Sequence, residues 1–201
     1  MATGNLEIEL KLLIDESGHQ NLLKQLQQDG PTLQQTNHFF DTPQKELRSN
    51  LWALRCRKEN DQLFLTCKGP SFSSQDGVSS RTEIEAPTSP DVLSKLQLGC
   101  SLSDIDHPAA QHLINQFGPL SVEPLLSFHN ERQRLPWEEA MIELDHSTCL
   151  QQHRYEIELE GSHQQIKRWA PSLEECLREW NIPFTRATDT KLKWASSLLE
   201  D

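Results

Sequence analysis

Short runs in which charged and apolar residues alternate recur along the chain. The first is EIELK, in which Glu7, Glu9 and Lys11 alternate with Ile8 and Leu10. Successive side chains of a β-strand point to opposite faces, so residues two apart share a face. The alternation predicts about eight strands, at residues 6–14, 36–41, 51–58, 62–68, 80–86, 125–135, 140–147 and 153–160.

Helical periodicity fills the segments between and after these strands. The predicted helices span residues 18–29, 90–98, 107–117, 163–180 and 189–200. An antiparallel sheet with packed helices follows, which is an α+β fold. A chain of 201 residues can bury one sizeable core, so we expect a single domain over residues 1–201.

The charged strand positions segregate by sign. Two faces pair bases, Arg55 with Arg57 and Arg132 with Arg134, and a third carries Lys68 beside Thr66. The acids pair as Glu83 with Glu85 (after Arg81), Glu143 with Asp145, and Glu156 with Glu158 and Glu160. A plain sheet with one solvated face is the commonest source of such alternation. Like charges two apart, however, gain nothing on a solvent face. The alternative is a closed eight-stranded barrel, apolar outside under the helices and charged around a wet interior.

These residue types suit phosphate chemistry with a metal ion. Paired carboxylates are ligands for Mg²⁺ or Mn²⁺, which bind one or two carboxylates plus substrate phosphates. Arginine gives bidentate hydrogen bonds to phosphate, and lysine supplies a point charge. The combination predicts phosphoryl or nucleotidyl transfer, in which metal helps to activate water.

Charge and composition exclude several other classes. The net charge is −11 without a long basic tract, which argues against nucleic-acid and anionic-membrane partners. The start of the chain lacks a signal-peptide pattern, and no apolar run approaches about 18 residues, so we expect a cytoplasmic protein. The five scattered cysteines suggest neither a disulfide framework nor a zinc site.

The order of the motifs resembles the CYTH superfamily, the triphosphate tunnel metalloenzymes. The matching segments are EIELK, HFFDTP (38–43), LRCRKEN (54–60), LTCKG (65–69), RTEIEAP (81–87), FHNERQR (128–134), IELD (142–145), YEIELEG (155–161) and DTKLKWA (189–195). The resemblance implies a closed antiparallel barrel, or tunnel, that binds a small-molecule triphosphate with a divalent metal, Mg²⁺ or Mn²⁺.

Site residues follow from this resemblance, position by position. The implied metal ligands are Glu7, Glu9, Glu83, Glu85, Asp145, Glu156 and Glu158. The implied phosphate-binding residues are Lys11, Arg55, Arg57, Lys68, Arg132 and Lys191, with Arg134 and Glu143 as further candidates. Glu7, Glu9, Lys11 and Arg57 are the candidate catalytic residues. Three placements stay open. Glu160 extends the row of Glu156 and Glu158, so either adjacent pair could lie at the metal, and Lys193 competes with Lys191 for the role of the late lysine. Arg81 precedes Glu83 on the same face and is either a contact at the tunnel mouth or an exposed residue.

The family includes inorganic triphosphatases, thiamine triphosphatases, class IV-type adenylyl cyclases and RNA 5′-triphosphatases. Thiamine triphosphatases resemble one another in an aromatic residue directly before the Leu-Arg of the first basic strand, where this chain has Ala53. Trp52 lies one residue away, and a one-residue shift reverses the face of a strand. We therefore expect hydrolysis of inorganic tripolyphosphate to diphosphate and phosphate, with thiamine triphosphate or a nucleoside triphosphate, including cyclase chemistry, as the alternative. A non-catalytic polyphosphate-binding module is an alternative of another class. Such a module would have little use for so many glutamate pairs, whereas an enzyme needs them. The oligomeric state stays open.

Overall fold

A computed structural model of the protein describes residues 5–27, 31–73 and 78–199. Within these residues, the strands are β1 (Asn5–Ile14), β2 (Leu33–Asp41), β3 (Ala53–Glu59), β4 (Gln62–Lys68), β5 (Phe72–Ser73), β6 (Val78–Pro87), β7 (Cys100–Ser101), β8 (Ser121–Trp137), β9 (Ala140–Cys149), β10 (Gln152–Glu160) and β11 (Phe184–Arg186). The helices are α1 (Glu16–Gln25), α2 (Glu46–Ser49), α3 (Pro90–Leu98), α4 (Pro108–Phe117), α5 (His163–Glu179) and α6 (Lys191–Ser197).

The eight predicted strands are confirmed as the eight longest strands, with ends that differ by a few residues. The five predicted helices are confirmed as α1, α3, α4, α5 and α6, although residues 28–29 and 200 of these predictions lie outside the described residues. The sequence patterns did not predict α2, β5, β7 or β11. These elements have only two to four residues, which is too short to show a period.

The long strands form one antiparallel sheet that closes on itself. The strand order is β11-β1-β10-β9-β8-β2-β3-β4-β6-β5, and an additional pairing joins β1 to β6. The strands from β1 round to β6 therefore form a closed eight-stranded barrel, with the helices outside. The predicted α+β fold with a closed barrel is confirmed. No helix in the described part of the chain is long and apolar enough to cross a membrane.

The residues group into two compact units, each with its own core. The first unit is built mainly from residues 35–71 and 81–128, and the second mainly from residues 7–34 and 129–201. That residues 1–201 form a single domain is not tested by this division into units, and it stays a prediction.

Helices cover the apolar strand faces of the first unit. Leu54, Cys56, Leu65, Cys67 and Ile84 pack against helix residues that include Leu47, Leu96 and Leu113. Burial raises the pKa of the Cys56 thiol to about 11 and that of Cys67 to about 12, so both cysteines are structural apolar residues. The alternate residues of these strands, which are mostly charged or polar, lie on the face away from the helices.

The second unit repeats this arrangement. Leu10, Leu12, Leu144, Ile157 and Leu159 pack against α1 and α5 through residues such as Leu22, Leu173 and Leu177. Helix α5 begins with a capping box in which Ser162 and Gln165 satisfy each other's backbone N–H groups. Again the charged residues of the same strands occupy the face away from the helices.

Candidate active site

The first unit carries a cluster of three bases and two acids on the charged faces of β3, β4 and β6. The register aligns Arg55 with Thr66, Thr66 with Glu85, and Lys68 with Glu83. Glu85 accepts hydrogen bonds from Arg55 at 3.2 Å, Arg57 at 3.1 Å and the Thr66 hydroxyl at 2.7 Å. Lys68 pairs with Glu83 at 3.1 Å. We call these five charged residues the first cluster.

The first cluster keeps Glu85 ionised and orients the bases around it. Burial opposes ionisation of Glu85, but the charges of Arg55 and Arg57 outweigh burial and keep the pKa of this carboxyl below its usual value. The Arg57 guanidinium also lies over the ring of Phe64, 5.4 Å from its centroid. Phe64 shares the strand face of Thr66 and Lys68, so one aromatic ring lies among these charges.

The second unit carries a denser cluster centred on Glu158. Its carboxylate contacts three cations: Lys11 at 2.9 Å, Arg132 at 2.7 Å and Lys191 at 2.6 Å. Asp145 accepts two hydrogen bonds from Arg132, at 2.7 and 2.6 Å, and one from Lys191 at 2.6 Å. Arg132 also donates to Glu143. Lys11, Arg132, Asp145, Glu158 and Lys191 are called the second cluster here.

Burial and mutual attraction shift the pKa values of the second cluster together. Burial alone would raise the pKa values of Asp145 and Glu158, yet the charges of Lys191, Arg132 and, for Glu158, Lys11 outweigh burial and lower both. The pKa of the Lys191 ammonium is raised, because its three carboxylate neighbours overcome its own burial. These shifts keep Asp145, Glu158 and Lys191 charged near neutral pH, and the cluster is a buried network of ion pairs.

Arg154 and Asp189, which lie beside the second cluster, were not singled out by the sequence patterns. Arg154 donates to Glu156 at 2.8 Å and to the side chain of Asp189 at 2.9 Å. The second oxygen of Glu156 contacts Lys191 at 2.8 Å. The only sequence signal for Arg154 was its position two residues before Glu156, which places both on one strand face.

Carboxylates crowd together at the Glu160 end of the second unit. Two groups of three have oxygen atoms within 4.8 Å of one another, and Glu160 belongs to both: it joins Glu7 with Glu9, and Glu143 with Glu158. Glu160 is exposed by surface area, yet desolvation by the atoms around its carboxyl, and then the negative charges of Glu143, Glu7 and other neighbours, raise its pKa to about 7. Oxygen ligands in such groups can bind a divalent metal ion, so the residues present fit the implied metal.

The sheet register brings like charges face to face at this end. Glu9 lies opposite Glu160, and Glu158 lies opposite Glu143. Directly opposed like charges destabilise a sheet unless a cation neutralises them. Lys11 supplies one such cation, 3.1 Å from Glu9.

The predicted site residues thus fall into separate groups. Among the predicted metal ligands, Glu7, Glu9 and Glu158 belong to the carboxylate groups, whereas Asp145 and Glu156 bind basic side chains. Glu83 and Glu85 lie in the first cluster with Arg55, Arg57 and Lys68. Arg134 is 52 % exposed and contacts Glu143 at 3.0 Å. Of the two competing lysines, Lys191 reaches the carboxylates, whereas Lys193 is exposed.

Comparison with known proteins finds relatives that are described as triphosphatases or adenylyl cyclases. The Bacillus subtilis protein named "Putative triphosphatase YjbK" is 31% identical over 197 residues, which cover 93% of this chain and 92% of the relative. The solved structure of HpAC1 from Hippeastrum, described as a putative adenylyl cyclase with a dominant triphosphatase activity, is 28% identical, with a TM-score of 0.84 over 95% of each chain. A Bacillus halodurans structure described as a putative adenylate cyclase shares the fold, at 22% identity and a TM-score of 0.75, covering 96% of this chain and 98% of its own.

The family assignment rests on sequence coverage as well as on these relatives. The CYTH domain family matches residues 5–181. This match includes every long strand of the barrel and all the site residues described above except Asp189, Lys191 and Lys193, which come after it. The chain therefore belongs to the CYTH domain family.

Proposed function

We propose that the protein is a metal-dependent triphosphatase that hydrolyses inorganic tripolyphosphate to diphosphate and phosphate. The observation that carries this proposal is the pair of three-carboxylate groups that share Glu160, close to the ammonium and guanidinium groups of the second cluster. A binding module would need the bases alone. The relatives named for triphosphatase activity support the same reaction type.

Mg²⁺ or Mn²⁺ is the proposed cofactor, held by Glu7, Glu9, Glu158 and Glu160, with Glu143 beside them. A divalent ion bound there supplies charge neutralisation for the phosphate oxygens and activation of water. The raised pKa of Glu160 supports a cation at this position, because the carboxylate lacks enough neighbouring positive charge to stay ionised at its usual pH.

The remaining site residues are proposed to hold the substrate. Every base in the two clusters is paired with a carboxylate, so binding requires an exchange of partners. Phosphate oxygens replace carboxylate oxygens on the bases and form charge-assisted hydrogen bonds of similar strength. The proposed phosphate-binding residues are Lys11, Arg55, Arg57, Lys68, Arg132, Arg134 and Lys191. They orient the triphosphate for attack by water and stabilise the charge that develops on the leaving diphosphate.

Packing around Trp52 supports a substrate without an organic ring. The Trp52 ring packs against His112, with centroids 5.2 Å apart, and against Phe117 at 6.0 Å. These contacts hold the Trp52 ring against α4 on the helix-covered side. The position where thiamine triphosphatases place an aromatic residue is therefore occupied by Ala53, and Trp52 does not supply the missing ring. A small inorganic triphosphate needs no stacking surface.

Phe64 favours the alternative substrates, thiamine triphosphate or a nucleoside triphosphate. Its ring lies on the charged face beside Arg57, where a base or a thiamine ring can stack on it. A Phe64→Leu variant separates the two cases. Hydrolysis of tripolyphosphate should be unchanged, whereas hydrolysis of an organic triphosphate that stacks on Phe64 should lose affinity.

A phosphate-release panel tests the proposal. Tripolyphosphate, thiamine triphosphate and ATP are each assayed with Mg²⁺, with Mn²⁺ and with chelator, and cyclic AMP is measured in the ATP reactions. We expect the highest kcat/KM with tripolyphosphate and no release with chelator. Binding of tripolyphosphate without release under either metal would instead identify a polyphosphate-binding module. We further propose that the enzyme acts in the cytoplasm without nucleic-acid or membrane partners, consistent with its acidic composition.

A further inference from the structure

Arg154 connects the charged face of β10 to the start of helix α6. Its side chain is 8% exposed and donates through one terminal nitrogen to Glu156 on its own strand and to Asp189. That nitrogen also lies 3.4 Å from the backbone carbonyl oxygen of Asp189. The guanidinium is 5.9 Å from the centroid of the Trp194 ring. Arg154 thus contacts the chain on both sides of Lys191, at Asp189 before α6 and at Trp194 within it.

The position of Lys191 depends on contacts that hold the start of α6 in place. It is the first residue of α6, a helix of seven residues that begins at the capping residue Thr190. Helices of this length are marginal on their own, so their position depends on tertiary contacts. The Lys191 ammonium must nevertheless reach Asp145 and Glu158, both at 2.6 Å.

Arg154 also neutralises the acid that lies next to Lys191. Glu156 is fully buried and lies opposite Asp145 in the register, so two carboxylates face each other. Arg154 binds one oxygen of Glu156 and leaves the other to Lys191. Lys191 already contacts Glu156, Asp145 and Glu158, so loss of Arg154 would leave Glu156 dependent on a lysine that it shares with two other carboxylates.

We propose that Arg154 is a positioning residue that seats Lys191 in the second cluster, through Glu156 on one side and Asp189 on the other. Its importance for turnover rests on the proposed function, whereas its effect on the placement of α6 does not. An arginine suits this role because one terminal nitrogen of its guanidinium donates to both Glu156 and Asp189, while the planar group lies near the Trp194 ring, a geometry that a lysine ammonium does not reproduce.

The test compares Arg154→Met with Lys191→Met, Asp189→Ala and a control, Arg168→Met, which removes an exposed ion pair of the same unit with Glu139. The first measurement is amide hydrogen exchange over residues 191–197, which needs no enzymatic activity. We expect exchange to accelerate about tenfold or more in Arg154→Met, because charge-assisted hydrogen bonds to the start of α6 are lost. Asp189→Ala should accelerate it as well, and Arg168→Met should leave it unchanged.

The second measurement is steady-state turnover of tripolyphosphate. We expect kcat/KM to fall about 10- to 100-fold in Arg154→Met, as when a partner that orients a site residue is removed. The Arg154→Met/Lys191→Met double variant should be no slower than Lys191→Met alone, because Arg154 acts through Lys191. Arg154→Lys should recover part of the loss.

The outcomes separate the two proposals. If the wild-type protein releases no phosphate but α6 loosens in Arg154→Met, the proposed function is wrong and the positioning role holds. If α6 exchange in Arg154→Met and Asp189→Ala matches the control, or if the two losses of activity multiply in the double variant, the positioning role is wrong. Should Arg154→Met fail to fold, Asp189→Ala decides the question, since it keeps the Arg154 pair with Glu156.

Discussion

The two charged clusters have similar sequence patterns but different degrees of burial. The bases are alike, since Arg55, Lys68, Arg132 and Lys191 are all 11–16% exposed. The acids differ: Glu83 and Glu85 are 17% and 27% exposed in the first cluster, whereas Asp145 and Glu158 are 0% and 5% exposed in the second. The contacts of the second cluster are also shorter and more numerous.

This difference in burial indicates that the same residue types have different roles in the two clusters. Solvent partly screens the carboxylates of the first cluster, so their ion pairs are weaker than those of the second cluster and its bases exchange partners more readily. Asp145 and Glu158 of the second cluster are 0% and 5% exposed, so solvent compensates much less for a lost cation there. We therefore expect substitutions in the second cluster to affect stability and activity together, and those in the first cluster to affect mainly activity.

The largest expected effect is that of Arg132→Met on stability. The substitution leaves Asp145 and Glu158 buried with fewer cations, which should cost about 3–5 kcal/mol of unfolding free energy. Arg134→Met, next on the same face but half exposed, should cost about 0–1 kcal/mol. Urea unfolding measures both. Equal losses would show that burial does not separate these arginines.

Glu9→Gln should abolish turnover while leaving the fold intact. The amide keeps the size of the carboxylate but removes a charge from the group that Glu9 forms with Glu7 and Glu160. We expect kcat to fall on the order of 100-fold or more, as when one preorganised charge at a reacting phosphoryl group is removed. Calorimetric titration with Mn²⁺ should show weaker binding in parallel.

The matched control for Glu9→Gln is Glu131→Gln. Glu131 is 51% exposed, on the opposite face of β8 from Arg132, where it contacts His146. Its turnover and Mn²⁺ affinity should equal those of the wild-type protein. Normal turnover in Glu9→Gln would overturn the assignment of the carboxylate groups as the metal site.

Arg57→Ala should weaken substrate binding and slow turnover at little cost in stability. A hydrogen bond to a charged group is worth about 1.5–3 kcal/mol, which corresponds to a loss in kcat/KM of about 10- to 150-fold. The ion pair with Glu85 is partly solvated, so the change in unfolding free energy should stay within about 1 kcal/mol. Arg57→Lys should lie between the two proteins, since lysine keeps the charge without the bidentate geometry. If Arg57→Ala instead lowered the unfolding free energy by several kcal/mol, the first cluster would contribute to stability as the second cluster does.

Much of this comparison could be predicted from the sequence. Period-two alternation placed Glu7 with Glu9 and Arg55 with Arg57 on charged faces, because strand geometry is nearly independent of context. The same rule put Glu156, Glu158 and Glu160 on one face, but it could not tell which of them lies among bases and which among acids. Their environments depend on the pairing with β1 and β9, which aligns Glu160 with Glu9 and Glu156 with Asp145.

The connection through Arg154 and Asp189 could not be predicted for a different reason. Asp189 precedes a short helix, and its contact with β10 joins residues 35 positions apart. No periodic pattern reports such a contact, because it depends on how the chain returns to the sheet after β11. The different burial of the two clusters is likewise a tertiary property, since both sequences show the same alternation of charged and apolar residues.

The smallest expected effect concerns acid stability. The pKa values of Asp145 and Glu158 are lowered in the folded protein, so their contribution is fully present above the unfolded value of about 4 and is lost as pH falls through the folded values. Unfolding free energy should therefore drop by about 1 kcal/mol or more between pH 5 and pH 3. Glu85→Gln should keep most of this decline, because the acids of the first cluster are more solvated, whereas Asp145→Asn should flatten it. If Glu85→Gln flattens the profile as much as Asp145→Asn does, the two clusters contribute equally to acid unfolding, and burial of the carboxylates is not what distinguishes them.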